Sequence, residues 1–191
     1  MSFVVGLNIA GAVVFGCDGF VLVGTKNNGN VKKLYTRTKL VVLHAWNIVV
    51  GYVGETGALL DIISPIVPTG GLEALEHGSL AVASIQGLTQ EKFLAHVGRE
   101  MHRLHRHTKK THIVLVCGYC DQYGYPVQFC FDRAGKRKKI SEFICIGSGA
   151  EIASRIIGKA YSTLLSMERA CRLVIDAIYA ASEDGLFKIG R

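Results

Sequence analysis

The sequence predicts a mixed α+β fold, a four-layer αββα sandwich in which two antiparallel sheets pack face to face and helices cover both outer faces. Two observations predict it. Five or more short strand-like segments come before the first helical pattern, an order that favours antiparallel sheets over alternating βαβ units. Further helices, further strands and a closing pair of helices then follow. No repeat or linker divides the 191 residues, and we therefore expect a single domain over 1–191.

The N-terminal third consists of short apolar runs separated by turn signals. Residues 4–14 alternate loosely around a turn expected at 8–11, and the chain then reaches Cys17-Asp18-Gly19. Residues 24–30 are rich in Gly and Asn, which is typical of a loop. Three more strands are expected at 31–35, 39–44 and 47–53.

Two helices are expected between this strand-rich third and the next strands. The first covers 57–63, and Pro65 and Pro68 end it because proline cannot continue a helix. Thr89 is the expected N-cap of the second, in which apolar residues recur at helical spacing.

The C-terminal half adds three strands and two helices. The strands are expected at 113–118, 127–131 and 143–146. One helix follows Gly149, and another begins after Ser166 as its cap. We expect the last helix to run to Ala181 and to end at Asp184-Gly185, because glycine suits the left-handed position after a helix.

Composition excludes several classes of protein. Hydrophobic residues make up 49% of the chain, but no uninterrupted apolar run is long enough to predict a membrane span. The start lacks a secretory signature, so the six cysteines are interpreted as reduced thiols of a cytoplasmic protein. The Cys117-Gly-Tyr-Cys120 pair has no second pair beside it, and nothing orders His102, His105 and His107 as a zinc site. We therefore expect no metal site at these residues.

The net charge of +7 is concentrated in two basic blocks, at 102–110 and 136–139. Such blocks can contact nucleic acid or an acidic partner. No aromatic residues are interleaved with them as a base-stacking surface requires. We therefore interpret them as solvated surfaces and expect neither nucleic-acid nor membrane binding.

The second residue is the strongest chemical signal in the chain. Met1 is followed by Ser2, a small residue of the kind that methionine trimming leaves exposed. An α-amine ordinarily has a pKa of about 7.7–8.0, so it can accept a proton near neutrality. An N-terminal amine is one of the bases that activate a hydroxyl nucleophile, and Ser2 would then carry both groups. The alternative is that these two residues are an ordinary chain start.

Four segments, taken in order, resemble the proteasome β-subunit family, which includes the bacterial heat-shock proteasome-like peptidase. They are the hairpin that ends in Cys17-Asp18-Gly19 and the segments 29–35, 50–55 and 146–149. The resemblance extends from Ser2 to about Asp184. It implies an N-terminal-nucleophile hydrolase that needs no cofactor.

The resemblance assigns catalytic roles by position. Ser2 falls at the nucleophile, which is usually Thr in this family, and Asp18 at the carboxylate that pairs with the active-site lysine. Lys33 falls at that lysine, with Lys32 as the rival. Strand alternation puts Lys33 on the same face as Val31 and Lys32 on the other.

Further roles follow from the same resemblance. The backbone N–H of Gly51 matches the donor to the oxyanion, Ser148 a hydroxyl near the terminal amine, and Asp184 the late acidic residue of that network. Three apolar residues match the lining of the substrate pocket and imply a preference for an apolar side chain before the scissile bond: Phe20, Val31 and Val49.

The leading hypothesis is a peptidase that acts on protein or peptide substrates inside a homo- or hetero-oligomeric ring, possibly fed by an ATP-driven unfoldase. One alternative is a catalytically inactive ring subunit. Another is an N-terminal-nucleophile amidase or ligase that acts on a specific amide. The chemical identity of the mature first residue separates these hypotheses.

Overall fold

The computed structural model describes residues 3–18, 20–24, 31–36, 39–43, 47–66, 89–107 and 113–188. At 20–24, 31–36, 42 and 183–188 only the backbone is described.

Ten strands lie within the described residues. They are β1 (Phe3–Ile9), β2 (Ala12–Cys17), β3 (Phe20–Gly24), β4 (Val31–Thr36), β5 (Leu40–Leu43), β6 (Ile48–Gly54), β7 (Ile113–Cys120), β8 (Pro126–Phe131), β9 (Arg137–Ile140) and β10 (Phe143–Gly147). Their pairing is antiparallel throughout, as expected for short strands that are connected by turns.

The strands form two main sheets and one ribbon. The first sheet has the order β10-β1-β2, the second has the order β5-β6-β7-β8-β9, and β3 pairs with β4 in a two-stranded ribbon. In the first sheet Phe3 lies opposite Gly147, and Val4 lies opposite Cys17. The start of β1 therefore meets the ends of both neighbouring strands.

Four helices complete the described chain: α1 (Thr56–Ile63), α2 (Gln90–His107), α3 (Ala150–Ala160) and α4 (Met167–Lys188). The expected cap of α2 is confirmed, because the Lys92 N–H donates to Oγ1 of Thr89 at 3.3 Å. The expected end of α4 at Asp184-Gly185 is wrong, since the helix continues to Lys188. A glycine inside a helix costs only about 1 kcal/mol relative to alanine and does not by itself end one.

The helices cover the outer faces of the two sheets. Phe3, Val5 and Leu7 alternate along β1 and belong to the core that the first sheet forms with α3 and α4. Ile48 and Val50 of β6 belong to a second core with α1 and α2. The αββα sandwich with its α+β class is thus confirmed.

The inner faces of the sheets meet closely. A Cβ on Gly118 of β7 would come within 2.8 Å of the tip of the Phe15 ring and 2.9 Å of Cγ1 of Val13. The missing side chain on the second sheet thus makes room for an aromatic ring of the first sheet. In the part of the chain that the structure describes, no helix has the length and apolar character to cross a membrane.

Candidate active site

A buried ion pair lies at the start of β1. The Nζ of Lys39 is 3.0 Å from Oδ1 of Asp18, and the two side chains are 5% and 0% exposed. The same Oδ1 accepts a hydrogen bond of 2.7 Å from the backbone N–H of Phe3. Burying an ion costs several kcal/mol unless it is paired and hydrogen-bonded. Each of these two charges therefore depends on the other for its burial.

The backbone fixes both members of the pair. The Asp18 N–H donates to the Phe3 carbonyl at 3.2 Å, which holds the end of β2 against the start of β1. The Lys39 carbonyl accepts a 3.0 Å hydrogen bond from the Tyr52 N–H of β6. Asp18 is thus attached to the first sheet and Lys39 to the second. The ion pair joins the two sheets beside the first described residue of the chain.

One oxygen of the carboxylate has room for another donor. Oδ2 of Asp18 is buried and accepts no hydrogen bond from any residue that the structure describes. Buried polar atoms in folded proteins nearly always have a partner. This oxygen is therefore a place where a further donor would be stabilised.

Among the described side chains, the lysine that pairs with Asp18 is Lys39. The sequence did not point to this residue. Lys33 lies in β4 opposite Leu22, and its side chain is outside the described part, so its assignment stays a prediction. One signal could have pointed to Lys39. Lys39 directly precedes the apolar run Leu40–Leu43. A lysine next to a buried strand is itself rarely buried unless it has a charged partner. Ser2 also lies outside the described residues.

Gly51 lies on the inner face of the second sheet, next to β1. A Cβ at this position would come within 2.6 Å of Cγ1 of Val4 and 3.3 Å of Cδ2 of Leu40. Val4 is fully buried and directly follows Phe3. The glycine therefore permits the close approach of the two sheets beside the ion pair.

The direction of the Gly51 N–H differs from what the resemblance implies. N–H groups alternate in direction along an antiparallel strand, and that of Tyr52 points to β5. The N–H of Gly51 therefore points to β7, where Val116 is its partner in the ladder. The oxyanion role stays a prediction, and this geometry does not support it.

Ser148 lies at the same end of the first sheet as the ion pair. It follows Gly147, which is opposite Phe3 in the β1–β10 ladder. The next residue, Gly149, is buried, and a Cβ there would come within 2.8 Å of Ala181 and 3.4 Å of the Phe3 ring. The structure thus brings Asp18 and the turn that contains Ser148 to the same end of β1, on opposite sides of the strand.

Asp184 belongs to the helix that packs on this turn. It lies in α4, one helical turn after Ala181, and only its backbone is described. Its assignment as the late acidic residue therefore stays a prediction.

The expected pocket residues are not all brought together. Phe20 lies opposite Thr36 and Val31 opposite Gly24, so these two residues are at opposite ends of the β3–β4 ribbon. Val49 is half-buried on β6 and shares the inner face with Gly51, because alternate residues of a strand share a face. The common pocket stays a prediction.

Two cysteines of the second sheet, Cys117 and Cys130, are fully or partly buried. Burial raises the pKa of the Cys117 thiol, and the nearby Cys130 adds to this effect. Burial, together with the charge of Asp132, raises the pKa of Cys130 to about 11. Both thiols are therefore protonated at neutral pH. No group of three metal-ligating side chains occurs among the residues that the structure describes.

Two comparisons with known proteins identify relatives. A family model described as proteasome subunit matches residues 72–190. Among solved structures, a mutant of Anbu from Hyphomicrobium sp. strain MC1 is similar, with a TM-score of 0.70 and 15% sequence identity over 97% of this chain and 77% of that one. No curated protein matches the sequence.

The two comparisons differ in what they cover. The family model covers more than half of the chain but not the segment that contains Asp18, Lys39 and Gly51. The structural match includes that segment, and at this identity it shows the fold. On the family match and the αββα fold together, the chain belongs to the proteasome subunit family.

Proposed function

We propose that this chain is a proteasome-type peptidase whose nucleophile is Ser2, exposed by removal of Met1. The observation that supports it is the buried Lys39–Asp18 ion pair, hydrogen-bonded to the N–H of Phe3. Phe3 is the residue that follows Ser2, and its N–H shares Oδ1 of Asp18 with the ammonium of Lys39. We assign the lysine role to Lys39, with Lys33 as the alternative.

The proposed chemistry uses the two groups of one residue. The Ser2 amine takes the proton of the Ser2 hydroxyl, Oγ attacks the carbonyl carbon of the scissile bond, and the amine then protonates the leaving nitrogen. Water hydrolyses the resulting ester and restores the enzyme. A neighbouring cation disfavours the protonated form of an amine and favours ionisation of a hydroxyl. Lys39 would exert both effects on Ser2.

Asp18 would hold this arrangement in place. Its Oδ1 already binds the ammonium of Lys39 and the N–H of Phe3, and its Oδ2 is buried without a described donor. A donor from Ser2 would fill that position. Ser148, in the turn after Gly147, lies at the same end of β1 and would supply a hydroxyl to the network.

The proposal places the peptidase in a ring of related subunits in the cytoplasm, with protein or peptide substrates. Membership of the family supports a ring-like oligomer in general. An ATP-driven unfoldase as a partner and an apolar preference at the cleavage site rest on the resemblance alone. Comparing the hydrolysis of apolar, basic and acidic peptides tests that preference.

The deciding experiment is intact-mass analysis of the purified oligomer before and after treatment with a β-lactone or epoxyketone. We expect loss of Met1 and addition of one probe to Ser2. Ser2→Ala should abolish the addition, and Lys39→Met should slow it at least tenfold. A chain that retains Met1, or one that loses Met1 and still does not react, would contradict the proposal.

A second candidate function, an inactive ring subunit, is favoured by one observation. The N–H of Gly51 points into the β-ladder and not toward the ion pair. The Lys39–Asp18 pair would then serve only to join the two sheets. In that case no probe would add to Ser2, whether or not Met1 is removed.

A further inference from the structure

A cleft with cations on both sides lies between two basic segments of the chain, and we name it the basic cleft. It lies between α2 and the hairpin that joins β8 to β9, has a volume of about 550 Å³ and is open to solvent. Residues 90–107 and 131–140 carry nine Lys and Arg against three acidic residues, a net charge of +6. The whole chain carries +7. Nearly all of the net charge therefore lies in the two segments that form the cleft, and its lining carries Arg99, Lys136 and Arg137 against Glu91.

The walls of the basic cleft are held in a defined geometry. A Cβ on Gly135, which has a φ of +77°, would collide with the carbonyl oxygen of Gly98 on α2, so two glycines allow the hairpin to contact the helix. Oδ1 of Asp132 accepts hydrogen bonds of 2.9 Å from the N–H groups of Ala134 and Lys136. The turn is thus pre-organised before any partner arrives.

The acidic side chains near the basic cleft are already paired. Glu91 accepts a 2.7 Å hydrogen bond from Arg137, which also lies over the ring of Phe129. Glu100 accepts a 2.7 Å hydrogen bond from Arg103. These contacts neutralise two cations and leave the positive charges of other exposed residues to determine the potential of the cleft.

Two exposed cations on separate elements line the basic cleft, Arg99 on α2 and Lys136 on the hairpin, and His102 of α2 also lines it. Protection of a sheet edge against aggregation explains Lys and Arg on β9, which is an outer strand of the described second sheet. It does not explain the cations of α2. A charge arrangement shared by two separate elements fits recognition of an acidic ligand.

We propose that the basic cleft binds an extended acidic segment of a protein partner, with carboxylates at Arg99 and Lys136. The volume is typical of a site for a small ligand or a few side chains. Leu94 and Phe131 lie beneath the lining and are buried, so the groups that a ligand can reach are mainly the polar and charged ones at the rims. Phe131 is the one Phe, Tyr or Trp residue of the lining and is buried, so the imidazole of His102 is the one exposed ring that the lining offers to a nucleic-acid base.

Binding of short labelled peptides, followed by fluorescence anisotropy at low salt, tests the proposal. The probes are a peptide of alternating leucine and glutamate, the same peptide with glutamine for each glutamate, and a single-stranded oligonucleotide of equal charge. We expect the glutamate peptide to bind more tightly than both others. The double variant Arg99→Glu/Lys136→Glu should weaken its binding about tenfold or more.

The matched control is Lys159→Glu/Arg169→Glu, which makes the same charge change at exposed residues of α3 and α4. We expect it to change peptide binding by less than about twofold. Far-UV circular dichroism checks that both double variants fold. If Arg99→Glu/Lys136→Glu does not fold, the milder Arg99→Gln/Lys136→Gln replaces it. Equal losses in the two double variants, no binding of the glutamate peptide, or tighter binding of the oligonucleotide would each overturn the proposal.

Discussion

Replacing Lys39 with methionine tests whether the Lys39–Asp18 ion pair stabilises the fold. The comparison is with Lys33, the lysine that the resemblance implies. The substitution keeps an unbranched side chain of similar length and removes only the charge. Asp18, whose side chain is 0% exposed, would then keep the Phe3 N–H as its described partner. Removing one member of a buried ion pair typically destabilises a protein by about 3–5 kcal/mol. We therefore expect the unfolded population to rise at least about a hundredfold.

The assay is equilibrium unfolding in urea at a fixed protein concentration, with the m-value checked for two-state behaviour. Lys33→Met is the matched control, and we expect it to change stability by less than about 0.5 kcal/mol if the residue is on the surface. In Asp18→Asn/Lys39→Met neither charge remains buried, so much of the lost stability should return. A Lys39→Met protein as stable as the wild type, or a large loss in Lys33→Met, would refute this reasoning.

Two further predictions concern packing and thiol chemistry. Gly51→Ala should lower the free energy of unfolding by about 1–3 kcal/mol, because its Cβ would overlap the buried Val4. Gly57→Ala has open space around its Cβ and should stabilise α1 by roughly 0.5–1 kcal/mol. Thermal melts of the two variants test both expectations. Alkylation of Cys130 should be slow at neutral pH and accelerate as the pH approaches about 11, because burial favours its protonated form. Mass spectrometry of cysteine-containing peptides should show the exposed Cys171 labelled first, and equally fast labelling of Cys130 at pH 7 would contradict the burial argument.

The parts of the fold that the sequence predicted well depend on local patterns. Thr89 caps α2 as expected, because a threonine before an amphipathic run satisfies the first free N–H groups of the helix. The hairpin after β8 depends on a local pattern of the same kind, because Oδ1 of Asp132 accepts hydrogen bonds from the N–H groups of Ala134 and Lys136. The end of α4 was predicted wrongly, because Gly185 could serve either as a helix end or as a helix residue. The local pattern is compatible with both, so it could not distinguish between them.

The candidate site depends on contacts between distant residues, and this limited what the sequence could show. Alternation along β4 gave a choice between Lys32 and Lys33. It could not show that the cation near Asp18 is Lys39, the residue before β5. Lys39 reaches Asp18 because β5 pairs with β6 in the second sheet while β2 pairs with β1 in the first. The distance between these residues is set by how the sheets pack.

That packing gives the Lys39–Asp18 pair two roles at once. It joins the sheets, and in the proposed function it also holds an ammonium beside the residue after Ser2. Loss of activity in Lys39→Met alone would therefore not separate a catalytic lysine from a structural one. Lys39→Arg does separate them, because it keeps the cation and the bond to the carboxylate while spreading the charge over a planar group that stays protonated. A purely structural role predicts that this variant keeps both stability and probe addition at Ser2, whereas a catalytic ammonium predicts that stability is largely kept and probe addition falls.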